Sequence, residues 1–266
     1  MDVNPEIRTL LREARLTDAI ATAQDAVRKD PSAAAHRIVL FELLCLTGKW
    51  DKAITQLNVA ADLDANFTLV AQMLRPALNC EALRQDIFAG ARTPLIFGEP
   101  EEWLGLMVEA LRLSAQGHVQ QAQDLRARAL ELAPASPGLA DDKPFEWIAD
   151  MDSRLGPILE AIVSGKYYWV PLHHLKGVDI EPPTEARDLV WINAKLRVVN
   201  GGDAHALIPV RYVRTEDNAD PRVLLARATH WLDDGHEHFR GQGQRTLATD
   251  ADEFGILDIR RLEFKR

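Results

Sequence analysis

Apolar residues in the first half of the chain recur at the spacing of amphipathic helices. The clearest apolar face consists of Trp103, Leu106, Met107, Ala110 and Leu111, at positions i, i+3, i+4, i+7 and i+8. Just before it, Pro100 and two glutamates are typical of a helix start, because proline fits the first turn and carboxylates favour the positive end of the helix dipole. The pattern predicts six or seven helices between residues 4 and 133, with Pro76 kinking or breaking one of them.

The helical half also repeats itself. Ala19 and Ala53 are 34 positions apart, as are Ala26 and Ala60, and a third copy of the pattern surrounds Ala122. Thirty-four residues is the tetratricopeptide period, in which each unit is a helical hairpin. Small residues at these positions would let the paired helices approach closely.

Glycines mark the expected turns of the repeat. Gly48 and Gly117 stand where the first helix of a pair should end in a left-handed residue, and Ala14 takes that place in the first copy. We therefore predict a tetratricopeptide-like α-solenoid over residues 1–134. The concave surface of such a solenoid accepts an extended or helical peptide.

The pattern changes in the second half of the chain. Residues 135–144 are rich in Pro, Gly and Asp and indicate a linker. Short β-branched and aromatic runs separated by turn residues follow, and Asn-Gly-Gly at 200–202 favours a hairpin. Together these predict a small, mainly antiparallel β-rich domain over residues 145–266, with one helix near 153–163, and an α+β fold class.

Composition and charge narrow the possible functions. The chain of 266 residues has a net charge of −9, so it lacks the basic surplus of a nucleic-acid-binding protein. No apolar run approaches the roughly 20 residues that span a bilayer, and the charged N-terminus is unlike a secretory signal. We expect a cytoplasmic protein with no membrane or nucleic-acid partner, in which Cys45 and Cys80 are buried free thiols.

Asp150, Asp152 and Arg154 form the first candidate site. Two carboxylates this close could hold a metal ion only in a turn, and Arg154 would repel the cation. A structural motif explains them better: Asp152 or Ser153 would cap the helix that starts near Arg154, and Asp150 would pair with Arg154 or with an arginine of the sheet. This stretch is therefore predicted to be a structural joint.

Histidines provide the second candidate. His236 and His238, beside Asp233 and Asp234, are metal-ligand residue types, but Gly235 and the surrounding charge favour a solvated loop. Elsewhere, the adjacent pair at 173–174 would point to opposite faces of a strand and so could not easily share a metal ion.

Motifs of catalytic nucleophiles are absent from the sequence. The phosphate-loop-like run Gly241 to Arg245 lacks the Lys-Ser/Thr that would complete it, so Arg245 is expected to pair with a carboxylate within the sheet. We predict no catalytic, cofactor-binding or metal-binding residue. The alternative is an enzyme or metal-binding protein with its site in the C-terminal domain.

Several phrases in order along the chain carry a family resemblance. They are "FGEPEEW", "FEWIADMDSRLGPILEAIVSGKYYWVPL", "IPVRY", "GQGQRTLATD" and "GILDIRRL". With them the chain resembles the ImpE/SciE/TagJ family of type VI secretion system accessory proteins. The resemblance implies a non-enzymatic adaptor without a cofactor, which binds the N-terminal helix of the small contractile-sheath subunit. It also implies that the adaptor modulates sheath assembly, or sheath disassembly by the ClpV unfoldase. It assigns no partner-contact positions.

Overall fold

A computed structural model describes residues 4–235 and 238–265 of the chain. Within these residues, seven α-helices make up the N-terminal half, which confirms the predicted number. They are α1 (Pro5–Arg12), α2 (Leu16–Lys29), α3 (Ala34–Leu46), α4 (Trp50–Leu63), α5 (Thr68–Phe88), α6 (Glu102–Ala115) and α7 (Val119–Leu132). Helix α5 continues through Pro76, so of the two predicted outcomes, a kink or a break, the break does not occur.

Helices that are consecutive in the chain pack against each other as hairpins. Gly48 and Gly117 adopt φ values of +63° and +81° in the turns after α3 and α6, as the sequence predicted. Ala14, after α1, has φ +57° and so takes the same left-handed conformation despite its Cβ. Ala53 and Ala122 are completely buried, which allows close approach of the helices.

The C-terminal part is rich in strands, as expected, and adds one short helix, α8 (Pro221–Leu224). Strand β1 (Leu95–Ile96) lies in the N-terminal half, between α5 and α6. The strands of the C-terminal part are β2 (Gly138–Ala140), β3 (Lys143–Phe145), β4 (Ile148–Asp150), β5 (Ile158–Val163), β6 (Lys166–Pro171), β7 (Leu175–Ile180), β8 (Trp191–Val198), β9 (Asp203–Pro209), β10 (Thr229–Asp233), β11 (Phe239–Gly243), β12 (Thr246–Thr249), β13 (Glu253–Gly255) and β14 (Arg261–Phe264).

Nine of these strands form one sheet in the order β1-β6-β5-β9-β8-β7-β14-β2-β3. The pairings in it are antiparallel, apart from β1 with β6. Strands β8 and β9 form the hairpin predicted at residues 200–202, where Gly201 has φ +98°. Strands β13-β12-β4 and β10-β11 form two smaller sheets.

The segment predicted as a linker, residues 135–144, contains strand β2 and most of β3, which form a hairpin at the edge of the large sheet. Its turn residue Asp141 has φ +51°. A Cβ at Gly138 would lie 2.1 Å from the carbonyl oxygen of Glu263 on the neighbouring strand. The composition that indicated a linker therefore reflects a tight turn and a close strand contact.

The helix predicted near 153–163 is wrong. Residues 158–163 form strand β5, and turns precede it. Five of the six residues of β5 are buried, because both faces of the strand are covered. Without a solvent-facing side the run has no polar–apolar alternation, and sequence periodicity cannot separate such a strand from a buried helix.

The large sheet separates two hydrophobic cores. On one face, Ile158 and Ile162 of β5 join Trp169 and Trp191 in a core shared with helices α1–α7. On the other face, residues such as Leu159 contribute to a second core made within the C-terminal part. The helical half therefore has no separate core of its own: the sheet supplies part of it.

Candidate functional site

The stretch that contains Asp150 and Asp152 lies at the joint between the helices and the sheet. Asp150 ends strand β4, and Asp152 follows in a turn with its Oδ1 accepting the backbone N–H of Arg154 at 3.0 Å. The Arg154 side chain donates to both oxygens of Asp152 at 2.8 and 2.5 Å. Its guanidinium also lies 4.7 Å from the ring centroid of Phe88 on helix α5.

The predicted joint is thus held by ion pairs, although the helix that Asp152 was expected to cap does not exist. Asp150 pairs with Arg245 and accepts the hydroxyl of Tyr212 at 2.9 Å. Every carboxylate oxygen of Asp150 and Asp152 accepts at least one hydrogen bond. A metal ion could enter here only by displacing these partners.

Arg245 extends the joint to helix α5. It is completely buried and pairs with Glu160 of strand β5 as well as with Asp150. Glu160 in turn accepts Arg84 of helix α5 at 2.5 and 3.0 Å. Burial alone would raise the pKa of Glu160, but the two arginines outweigh it and hold that pKa at about 2.

A second arginine ties the C-terminal part to helix α3. Arg211, 4% exposed, donates to the carbonyls of Leu46 and Cys45 at 2.7 and 3.2 Å, where a helix C-terminus carries partial negative charge. On the same helix, Glu42 accepts Arg187 at 3.2 Å. Arg187 and Arg211 therefore tie the C-terminal part to the side chain of Glu42 and to the C-terminal carbonyls of α3.

A third feature of the joint is a carboxylate with two histidines. Glu101, directly before helix α6, has Oε1 2.8 Å from Nε2 of both His173 and His174. The two imidazole rings lie 4.4 Å apart, centre to centre. The other carboxylate oxygen of Glu101 accepts the indole N–H of Trp103 at 3.2 Å.

The histidine pair was expected on a strand, with its side chains on opposite faces, and that expectation is wrong. His173 and His174 end a 3-10 turn, Leu172–His174, between strands β6 and β7. Successive side chains in such a turn diverge by about 120°, which lets both rings reach one carboxylate. Sequence reasoning missed the cluster because Glu101 is 72 positions away from His173.

The loop that contains the other candidate histidines, His236 and His238, provides fewer observations. His238 lies in the turn between β10 and β11, where its backbone N–H donates to the carbonyl of Gly235 at 3.1 Å. His236 lies outside the described residues. Cys45 and Cys80 are buried free thiols, as predicted.

One exposed apolar surface stands out on helix α5. Leu69 is 76% exposed and Met73 41%, and Pro76 follows on the same side, so the three occupy positions i, i+4 and i+7. We call these three residues the α5 stripe. Beside it lies a cavity of about 320 Å³ whose walls include Met73, Pro76, Ile162 and Leu207. Met73 and Pro76 of the stripe therefore line a groove between α5 and the large sheet, and Leu69 precedes them by one helical turn on the same side of α5.

No helix among the described residues is both long and apolar enough to span a membrane.

Comparisons with known proteins agree with the resemblance in the sequence. The family model described as ImpE protein matches residues 142–263. The type VI secretion system accessory component TagJ of Pseudomonas aeruginosa is 46% identical over 256 residues, which cover 96% of this chain and 90% of that protein. The X-ray crystal structure of protein VPA1032 from Vibrio parahaemolyticus is similar with a TM-score of 0.88 and 25% identity, over 98% of both chains. The chain therefore belongs to the family of the type VI secretion system accessory component TagJ, and its C-terminal part matches the ImpE family model.

Proposed function

We propose that this protein is a cytoplasmic, non-enzymatic adaptor of the type VI secretion system. It binds the N-terminal helix of the small contractile-sheath subunit and so modulates sheath assembly or ClpV-dependent disassembly. The observation that carries the proposal is the 46% identity to the accessory component TagJ over nearly the whole chain. Helical repeats, which commonly bind peptides, support it.

The α5 stripe is the surface we assign to this partner. An amphipathic helix buries apolar anchors at i, i+3, i+4 and i+7, and the stripe presents apolar side chains at matching spacing along a groove. On α3, by comparison, Glu42 and the C-terminal carbonyl of Leu46 already bind Arg187 and Arg211 of the same chain. In this proposal the partner helix lies against α5 and the β5–β6 turn, where Gly165 contributes to the cavity.

Calorimetry with a peptide of that sheath helix tests the proposal. Replacing Met73 with Asp, or Leu69 with Asp, should weaken binding at least about tenfold, because each change puts a charge into an apolar contact. The matched control is Leu132→Asp on α7, which is 47% exposed and distant in sequence from the stripe. Equal binding by all variants would show that the partner helix does not bind at α5. Lack of binding to the intact sheath subunit as well as the peptide would refute the adaptor function.

A further inference from the structure

Glu101, His173 and His174 bring three potential ligand atoms within 4.8 Å of one another. A carboxylate and two imidazoles are the ligand set of three-ligand zinc sites, which keep a fourth position open. In the present arrangement, Glu101 Oε1 lies 2.8 Å from each Nε2. Ligand atoms bound to one zinc ion at about 2.0–2.1 Å lie somewhat farther apart, so an ion needs only a small outward movement of these side chains.

The surroundings of the cluster orient the ligands. His174 Nδ1 lies 3.0 Å from the carbonyl oxygen of Phe97, which can only accept a hydrogen bond, so Nδ1 carries the proton. In the neutral ring, Nε2 then presents a lone pair to the Glu101 carboxylate. Two acceptors facing each other at 2.8 Å repel unless a cation lies between them or a proton occupies Nε2. A backbone carbonyl on the outer nitrogen is also the usual partner of a metal-bound histidine.

The carboxylate is fixed in a similar way. Trp103 donates to Oε2 of Glu101 and leaves Oε1 for the histidines. Gly98 lets the Phe97 carbonyl approach, because a Cβ at that position would lie 2.6 Å from His174 Nδ1.

We propose that Glu101, His173 and His174 bind one divalent transition-metal ion, with Zn²⁺ the best match to two imidazoles and a carboxylate. The three side chains are 20–30% exposed, which gives the ion an entry path. Since Glu101 precedes α6 and the histidines follow β6, the ion would fasten the α6–α7 hairpin to the sheet. This inference is independent of the sheath-binding function.

Equilibrium dialysis of tag-free protein against Zn²⁺, followed by elemental analysis, tests the site. One equivalent should bind at micromolar free zinc, and Co²⁺ should give the visible absorption of a nitrogen- and oxygen-ligated ion. Glu101→Gln keeps the side-chain shape and should lose stoichiometric binding, as should His174→Gln. Trp103→Phe should weaken binding roughly 10–100-fold, since it removes only an outer hydrogen bond. His205→Gln, an exposed histidine of β9, is the matched control.

Two results would overturn the proposal. The first is substoichiometric zinc in the unmodified protein. The second is stoichiometric zinc that survives in both Glu101→Gln and His174→Gln. If either variant fails to fold, as judged by circular dichroism, the other variant and the cobalt spectrum of the unmodified protein still decide the question.

Discussion

Replacing Arg245 with Met should be among the most damaging single changes in the protein. The guanidinium is completely buried and neutralises Asp150 and Glu160 together, while its Nε donates to the carbonyl of Pro209 at 3.1 Å. Methionine fills a similar volume, so the main loss is electrostatic. Glu160 keeps Arg84, whereas Asp150 is left with a hydroxyl and a backbone N–H.

Removing one partner of a buried ion pair costs about 3–5 kcal/mol, because the other charge stays buried without compensation. Domains typically unfold with a free energy of about 5–15 kcal/mol, so this variant should be marginally stable. The loss should be larger at pH 8 than at pH 5, because an uncompensated Asp150 escapes part of the penalty by binding a proton as the pH falls.

Urea unfolding followed by tryptophan fluorescence measures the effect, since Trp169 and Trp191 are buried at the joint. The matched control is Arg128→Met, which removes an exposed pair with Glu102 and should cost at most about 1 kcal/mol. Adding Asp150→Asn to Arg245→Met should recover more than about 1 kcal/mol, because the two sites are in contact. A loss below about 1 kcal/mol for Arg245→Met would refute the reasoning.

Other predictions test single features. Burial raises the pKa of Glu42 to about 8 despite its contact with Arg187. Its folded pKa lies above the unfolded value near 4.3, so the free energy of unfolding should fall as pH rises between these values, by up to a few kcal/mol. In the variant Glu42→Gln, the urea midpoint should therefore change less with pH across this range. Ala14→Gly should raise stability by about 0.5–1 kcal/mol in urea unfolding, because it relieves a left-handed alanine. A fragment of residues 1–134 should show no cooperative thermal transition, since the sheet completes the helical core; a sharp transition would show that those residues form an independent domain.

Elements that carry a clear signal in their own local sequence were predicted correctly. The helices carry an apolar face and a repeat, and the β8–β9 hairpin carries Asn-Gly-Gly, so both could be placed from the sequence. Strand β5 could not, because burial on both faces removes the alternation that distinguishes a strand. The edge hairpin β2–β3 was missed because its turn residues have the composition of a linker.

For contacts between distant parts of the chain, the sequence could predict which types of residue pair, but not which individual residues. The sequence indicated that Asp150 would meet an arginine of the sheet, but Arg245 is 95 positions away and only the fold selects it. The cluster of Glu101 with His173 and His174 depends on a 3-10 turn and on a loop from the other half of the chain. No sequence window contains both parts of such a site.

The contact between Arg211 and the carbonyl of Leu46 spans 165 positions, and this separation has a consequence during synthesis. At translation rates of about 5–20 residues per second, α3 leaves the ribosome roughly 10–30 s before the arginine that covers its end. During that interval, the apolar side of the helices faces water or a chaperone. The nascent chain should therefore depend on holdase protection more than a self-contained helical repeat of equal length, and slowing translation should increase its aggregation.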